Sequence, residues 1–174
     1  TSTSTFLQRK FGGRILHMGV DTAFFSPQPP AAVADLRRSL GLQDKKAIVF
    51  GGVVRPHKGV ELILDALSRL GDPGVCLAVV GPETEHLKQL AAIPAFGPYV
   101  RCIGPRPKEK MPLYIDMADL VVLPLVDNLL ARSQVPCKVF EAMAMAKPIV
   151  ASAISDLPLI LDGCGWVVPP GDTD

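Results

Sequence analysis

The sequence predicts an α/β domain in which a parallel β-sheet carries helices on both faces. Two observations support that expectation, and a third points to where such a fold would hold a ligand. Short apolar runs alternate with stretches of helical periodicity along the 174 residues, the rhythm of strand–helix–strand units. Several of the runs are apolar throughout, as strands covered on both sides should be. Lysines, rather than acids, stand at the starts of two helices that follow strands. In such sheets ligands bind beyond the carboxyl ends of the strands.

Arg14–Met18 reads as the first strand. The proline-rich connection Pro27-Gln-Pro-Pro30 leads from it to a helix over Ala31–Leu40. Ala47–Phe50 is the next strand, followed by a helix over Gly59–Leu70. In that helix Val60, Leu62, Ile63, Leu67 and Leu70 fall roughly at helical spacing, while Glu61, Asp65 and Arg69 lie along the other face. Strands over Val75–Val80 and Tyr99–Ile103 flank a helix over Glu83–Ala92. Lys108–Met117 reads as a helix and Leu120–Leu123 as a strand. Pro136–Ala146 is a helix opened by a proline, which suits a first turn, and closed by Pro148. Ile149–Ala151 and Gly165–Val168 complete the strands, with a helical turn at Leu157–Leu161 between them.

Composition narrows the function. The length suits one domain over residues 1–174 with a sizeable core. Formal net charge is +1, so no global field draws the chain to nucleic acid. The cysteines Cys76, Cys102, Cys137 and Cys164 are widely spaced with no Cys-x-x-Cys pair. They read as reduced thiols of a cytoplasmic protein rather than zinc ligands, and no metal site is expected. No run is long enough to span a membrane, and there is no secretory signal. Thr1-Ser-Thr-Ser-Thr5 at one end and Pro169-Pro-Gly-Asp-Thr-Asp174 at the other look like cut ends of a longer protein. Neither a Gly-x-Gly-x-x-Gly nor a Gly-Lys-Ser/Thr loop is present, against dinucleotide redox and P-loop chemistry.

The candidate site gathers around two loops. Gly51-Gly-Val-Val-Arg-Pro-His-Lys-Gly59 follows a strand and opens a helix; Gly51 and Gly52 let backbone approach a ligand, and Arg55 and Lys58 add two cations. Alone, the loop could be a solvated basic surface. Lys138 repeats the pattern in the first turn of its helix, where the macrodipole disfavours a cation by roughly 0.3–1 kcal/mol. A phosphate held by free N–H groups and an ammonium would reverse that cost. Ser133, Gln134, Pro136, Cys137, Lys138 and Val139 are therefore expected to border a phosphorylated ligand. Glu141 could be an i,i+3 partner of Lys138, but a carboxylate behind a phosphate-binding lysine also suits ribose hydroxyls, and that role is expected. Gly81-Pro82 and Gly104-Pro105 read as turns, with room for a nucleobase against Ile103–Gly104. None of His17, His57 and His86 stands out as a catalytic base.

Several segments appear in a fixed order: His17-Met-Gly-Val-Asp21, the Gly51…Lys58-Gly59 loop, Ala118-Asp-Leu-Val-Val-Leu-Pro124, Phe140-Glu-Ala-Met-Ala…Lys-Pro-Ile-Val-Ala-Ser152 and Gly165-Trp-Val-Val-Pro-Pro-Gly-Asp172. This set resembles the C-terminal, donor-binding half of glycosyltransferase family four over essentially the whole chain. The resemblance implies a Rossmann-like sheet forming one half of a GT-B fold. It also implies a metal-independent transferase without a cofactor, moving a hexose from a UDP-sugar or GDP-sugar to a carbohydrate or lipid-linked acceptor with retention of configuration. The acceptor domain would be a missing N-terminal half, which leaves open peripheral contact with the inner face of a membrane. The isolated chain would be inactive. By position Lys58 would bind the diphosphate, Arg55 would assist it, and Glu141 would bind the ribose. Two positions depart from the family pattern: Ser133 stands where a first glutamate is frequent, and Val53 where the diphosphate-binding arginine falls. A sugar-nucleotide epimerase or hydrolase, or a non-catalytic nucleotide-sugar-binding module, are the alternatives.

Overall fold

A computed structural model describes residues 3–173. Six parallel strands form one sheet in the order β3-β2-β1-β4-β5-β6. They are β1 (Lys46–Gly51), β2 (Val75–Val80), β3 (Val100–Cys102), β4 (Leu120–Leu123), β5 (Ile149–Ser152) and β6 (Trp166–Val168). Each strand is joined to the next by a helical connection, as parallel pairing requires. The strand order reverses between β1 and β4, and this places a crevice at their carboxyl ends.

The helices divide between the two faces. One face carries α3 (Val60–Leu70) and α4 (Glu85–Ala92), packed on Ile48, Phe50, Leu77, Val79 and Val100. The other face carries α2 (Pro30–Ser39), α5 (Met111–Asp116), α7 (Lys138–Ala144) and α8 (Leu157–Ile160), around Ala47, Val49, Ala78, Val80, Val121 and Ala151. Neighbouring residues of β1 thus point to opposite cores, which is why its sequence shows no alternation. Leu64, Leu77 and Leu157 are fully buried, each contributing about 1.5–3 kcal/mol of transfer free energy.

Three sequence expectations are corrected and two helices are added. Arg14–Met18 forms no strand; its residues are mostly exposed, Leu16 at 95%, because no strand lies beside it. Residues before it form α1 (Thr3–Phe11), a helix the composition of that end did not announce. Lys108–Met117 divides into a 3-10 turn at Lys108–Lys110 and α5, since Pro112 suits a first turn and not a helix interior. Tyr99 belongs to a 3-10 turn before β3. A short α6 (Leu129–Arg132), capped by the Asn128 side chain on the Ala131 N–H at 2.9 Å, also went unanticipated. Thr1, Ser2 and Asp174, on which the cut-end expectation partly rests, lie outside the described residues. Among the described residues no helix is long and apolar enough to cross a membrane.

At the amino ends of the strands Asp119 is the hub. It accepts from the Ala47 N–H at 2.8 Å and the Arg37 guanidinium at 2.9 Å, with Lys46 at 3.4 Å. Burial opposes its ionisation, but the Ala47 N–H and the Arg37 guanidinium outweigh burial and hold its carboxyl below the ordinary range.

Candidate functional site

Two cavities open at the carboxyl edge of the sheet and share Gly51, Gly52, Cys137 and Lys138. The larger encloses about 840 Å³ and the other about 520 Å³, together ample for a ligand of nucleotide-sugar size. Arg55, His57, Lys58, Gln134 and Pro136 line the smaller one. Glu141 lines the larger, with Met18–Asp21, Phe24 and Phe25, Pro82, Pro105, Arg106, Lys108 and Glu109.

The two lysines reach this place by different backbone routes. Lys58 does not begin α3; it ends a 3-10 turn, Pro56–Lys58, and its N–H donates to the Arg55 carbonyl at 2.9 Å. Gly59, at φ 65°, then redirects the chain into α3. A β-carbon there would lie 1.7 Å from the Pro124 carbonyl oxygen, so glycine is required by contact as well as by conformation. Gly81 is bound in the same way, its would-be β-carbon 2.1 Å from the Gly52 carbonyl oxygen. Lys58 thus stands just ahead of α3, whose first residue is Val60 with Gly59 as its cap, one residue later than the start read from the sequence.

Lys138 is the first residue of α7, and its Nζ comes back over the glycine loop, 3.7 Å from where a Gly52 β-carbon would stand. The N–H groups of Cys137 and Lys138 make no hydrogen bond among the described residues, whereas those of Val139 and Phe140 are taken by Pro136 and Cys137 carbonyls. With α7 only seven residues long, the side-chain ammonium contributes more than the dipole to any anion site.

The charges are close enough to feel one another. Burial lowers the pKa of Lys58, and the neighbouring Lys138 and Arg55 cations lower it further. His57 is also held below its ordinary value, by burial and then by Lys58 and Arg55. Arg55, Lys58 and Lys138 form no ion pair among the described residues. The side chain of half-buried Glu141 makes neither an ion pair nor a hydrogen bond there either, so the pairing with Lys138 is not made. Three cations without a carboxylate are a receptor for a polyanion, and a free carboxylate beside them is an acceptor for hydroxyl groups.

Other anticipated residues are placed elsewhere. Ser133 lines neither cavity, and its hydroxyl donates to the Leu130 carbonyl at 2.8 Å. The Val139 side chain is fully buried in the core. Ile103 packs against that core, and Pro105 and Arg106, not Ile103 and Gly104, reach the wall. Sequence reasoning singled out the His17–Asp21 segment without giving it a role. Asp21 Oδ1 accepts from the Ala23 and Phe24 N–H groups at 2.9 and 3.1 Å, and this turn shapes that wall. Arg106, which lies over the Tyr114 ring at 5.7 Å, had no signal beyond its place after a strand. Among the described residues no three His, Cys, Asp or Glu side chains are grouped to hold a metal ion.

Comparison with known proteins agrees with this architecture. The chain is 29% identical over 170 residues to a D-inositol 3-phosphate glycosyltransferase of Mycobacteroides abscessus, covering 92% of this chain and 36% of that protein. It is 32% identical over 164 residues to a GDP-mannose-dependent alpha-(1-6)-phosphatidylinositol monomannoside mannosyltransferase of Mycolicibacterium smegmatis, covering 90% and 43%. The chain thus spans well under half the length of these curated relatives. Among solved structures, Anabaena HepE in complex with UDP-glucose superposes with a TM-score of 0.80 at 23% identity over 98% of this chain and 48% of that one. That likeness shows the shared Rossmann-like fold of the GT-B glycosyltransferases. Residues 44–174 match the family model for glycosyl transferases group 1, and the chain belongs to that family.

Proposed function

We propose that this chain is the C-terminal, donor-binding domain of a two-domain glycosyltransferase. It moves a hexose from a UDP-sugar or GDP-sugar to an acceptor hydroxyl with retention of configuration, without a metal. The carrying observation is the trio Arg55, Lys58 and Lys138, unpaired around one cleft, with the Lys58 pKa lowered by burial and by Lys138. When the bond from the anomeric carbon to the phosphate breaks, negative charge grows on the leaving diphosphate. These cations stabilise it where water is partly excluded. Glu141 binds the ribose hydroxyls and so fixes the leaving group's position. The acceptor, a carbohydrate or a lipid-linked one, enters from a preceding domain that closes over the cleft.

Calorimetric titration of the chain with UDP, GDP and ADP tests the reading. Saturable binding of a nucleoside diphosphate, weakened by Glu141→Ala, is expected; absence of binding by all three would refute it. For the whole enzyme, proton NMR of the product's anomeric centre reads retention against inversion. Activity that survives chelator reads metal independence. Ser133 favours a second reading, because its hydroxyl faces away from the cleft and supplies no acidic group for the donor sugar. A nucleotide-sugar-binding module would then show tight donor binding and no turnover in the complete protein.

A further inference from the structure

Asp156 stands just before α8, where an aspartate ordinarily caps the first turn with its side chain. It makes no such bond. Its residue is 4% exposed, and its Oδ2 is buried without a hydrogen-bond partner. Ser155, immediately before it, has φ 57°, a left-handed conformation unfavourable for a residue with a β-carbon. A strained backbone and a forgone cap thus accompany a carboxylate turned inward.

The group facing it is His17, whose Nδ1 lies 3.9 Å from Asp156 Oδ2. That gap is about 1 Å longer than a charge-assisted hydrogen bond. The His17 ring also lies 6.3 Å from the ring of Phe140, the residue before Glu141 on α7. On its other side His17 continues directly into Met18–Asp21, a wall of the larger cavity. Other charged side chains on these elements are Arg14 and Asp21 on its own segment, Lys138 and Glu141 on α7, and Asp162 after α8. None of these pairs with His17 or Asp156 among the described residues. Asp127 and Arg132, near Ser155, pair with each other at 2.5 Å.

The geometry points to a proton-operated strut: protonated His17 closes on Asp156 Oδ2 and fixes the Met18–Asp21 wall of the cleft, and neutral His17 releases it. A buried acceptor without a donor is costly, and an imidazolium Nδ1–H is the donor placed to satisfy it. The two residues are positioning residues; neither lines either cavity. The effect on ligand affinity rests on the nucleotide-sugar reading of the cleft, whereas the closure itself does not.

Two measurements separate the two. In the free chain, NMR should show the backbone signals of residues 18–21 moving in step with the His17 imidazole titration. The isosteric Asp156→Asn variant should uncouple them. UDP-glucose and GDP-mannose carry diphosphate diesters of fixed charge near neutrality, so their affinity reports the protein's protonation. Whichever of them binds should bind about fivefold more tightly at low pH, a modest coupling between sites. His17→Gln should remove that dependence, and His17→Lys should hold the low-pH affinity throughout. Signals of residues 18–21 that ignore the His17 titration, or a His17→Gln chain that keeps the wild-type pH dependence, would overturn the strut. Failure of both sugar nucleotides to bind at any pH, with the NMR coupling intact, would overturn the nucleotide-sugar reading and leave the strut established.

Discussion

The two ends of the sheet treat positive charge in opposite ways. At the amino ends of β1 and β4, Arg37 and Lys46 meet on Asp119, whose carboxyl they help hold below the ordinary range. At the carboxyl ends, Arg55, Lys58 and Lys138 gather with no acid between them, and it is a lysine whose pKa is pushed down. Both arrangements are built on the same two strands, so the fold readily supplies a carboxylate where charge is to be neutralised. At the other end Glu141 stays unpaired and no carboxylate neutralises the cations, which marks the place left for an anion from outside.

The contrast can be broken at either end. Replacing both Lys58 and Lys138 by alanine should have the largest effect, weakening nucleoside diphosphate binding by about a thousandfold as two charge-assisted contacts are lost. Thermal stability should hold or rise, because repulsion is relieved; calorimetry and a melting curve together check this. Asp119→Ala should do the reverse. It strands the Ala47 N–H and the Arg37 guanidinium and lowers folding stability by about 2 kcal/mol in urea titration. Nucleotide affinity should not change. Smaller again, sulfate should stabilise the wild-type chain by about 0.5 kcal/mol more than the double lysine variant, as an anion bound only by the native state.

The smallest effect is a pH slope. Lys58 is depressed on folding, so the unfolded chain binds more protons between its folded pKa and the ordinary 10.5. Stability from this group is therefore complete above 10.5 and lost as pH falls through the folded value. Denaturation of wild-type and Lys58→Met chains across alkaline pH should show the rise only in the wild type. For Asp119 the window lies in acid: its contribution is present above the ordinary 3.8 and disappears as pH falls through the lowered value.

The sheet was legible because buried strands leave uninterrupted apolar runs, and β2 and β4 fall where Val75–Val80 and Leu120–Leu123 were read. Arg14–Met18 has the same local pattern but no neighbouring strand, and periodicity does not report neighbours. Lys58 and Lys138 were legible because a cation near a helix start is locally unfavourable and so asks for an explanation. Lys138 sits within its helix, whereas Lys58 stands just outside α3, separated from it by Gly59. The wall made by Met18–Asp21, Arg106 and Glu109 was hidden, since it exists only once distant loops meet. Ser133 and Val139 were close in sequence to the cleft, yet a turn in one case and helical phase in the other point them away.

The close approaches of Gly59 to Pro124 and of Gly81 to Gly52 mean that the rim of the cleft is fastened main chain to main chain. Its shape consequently owes little to the side chains that decorate it. Someone wishing to retrain this scaffold toward another ligand could randomise Val53, Gln134, Arg106 and Glu109 in one library and keep the framework, provided those two glycines are never touched.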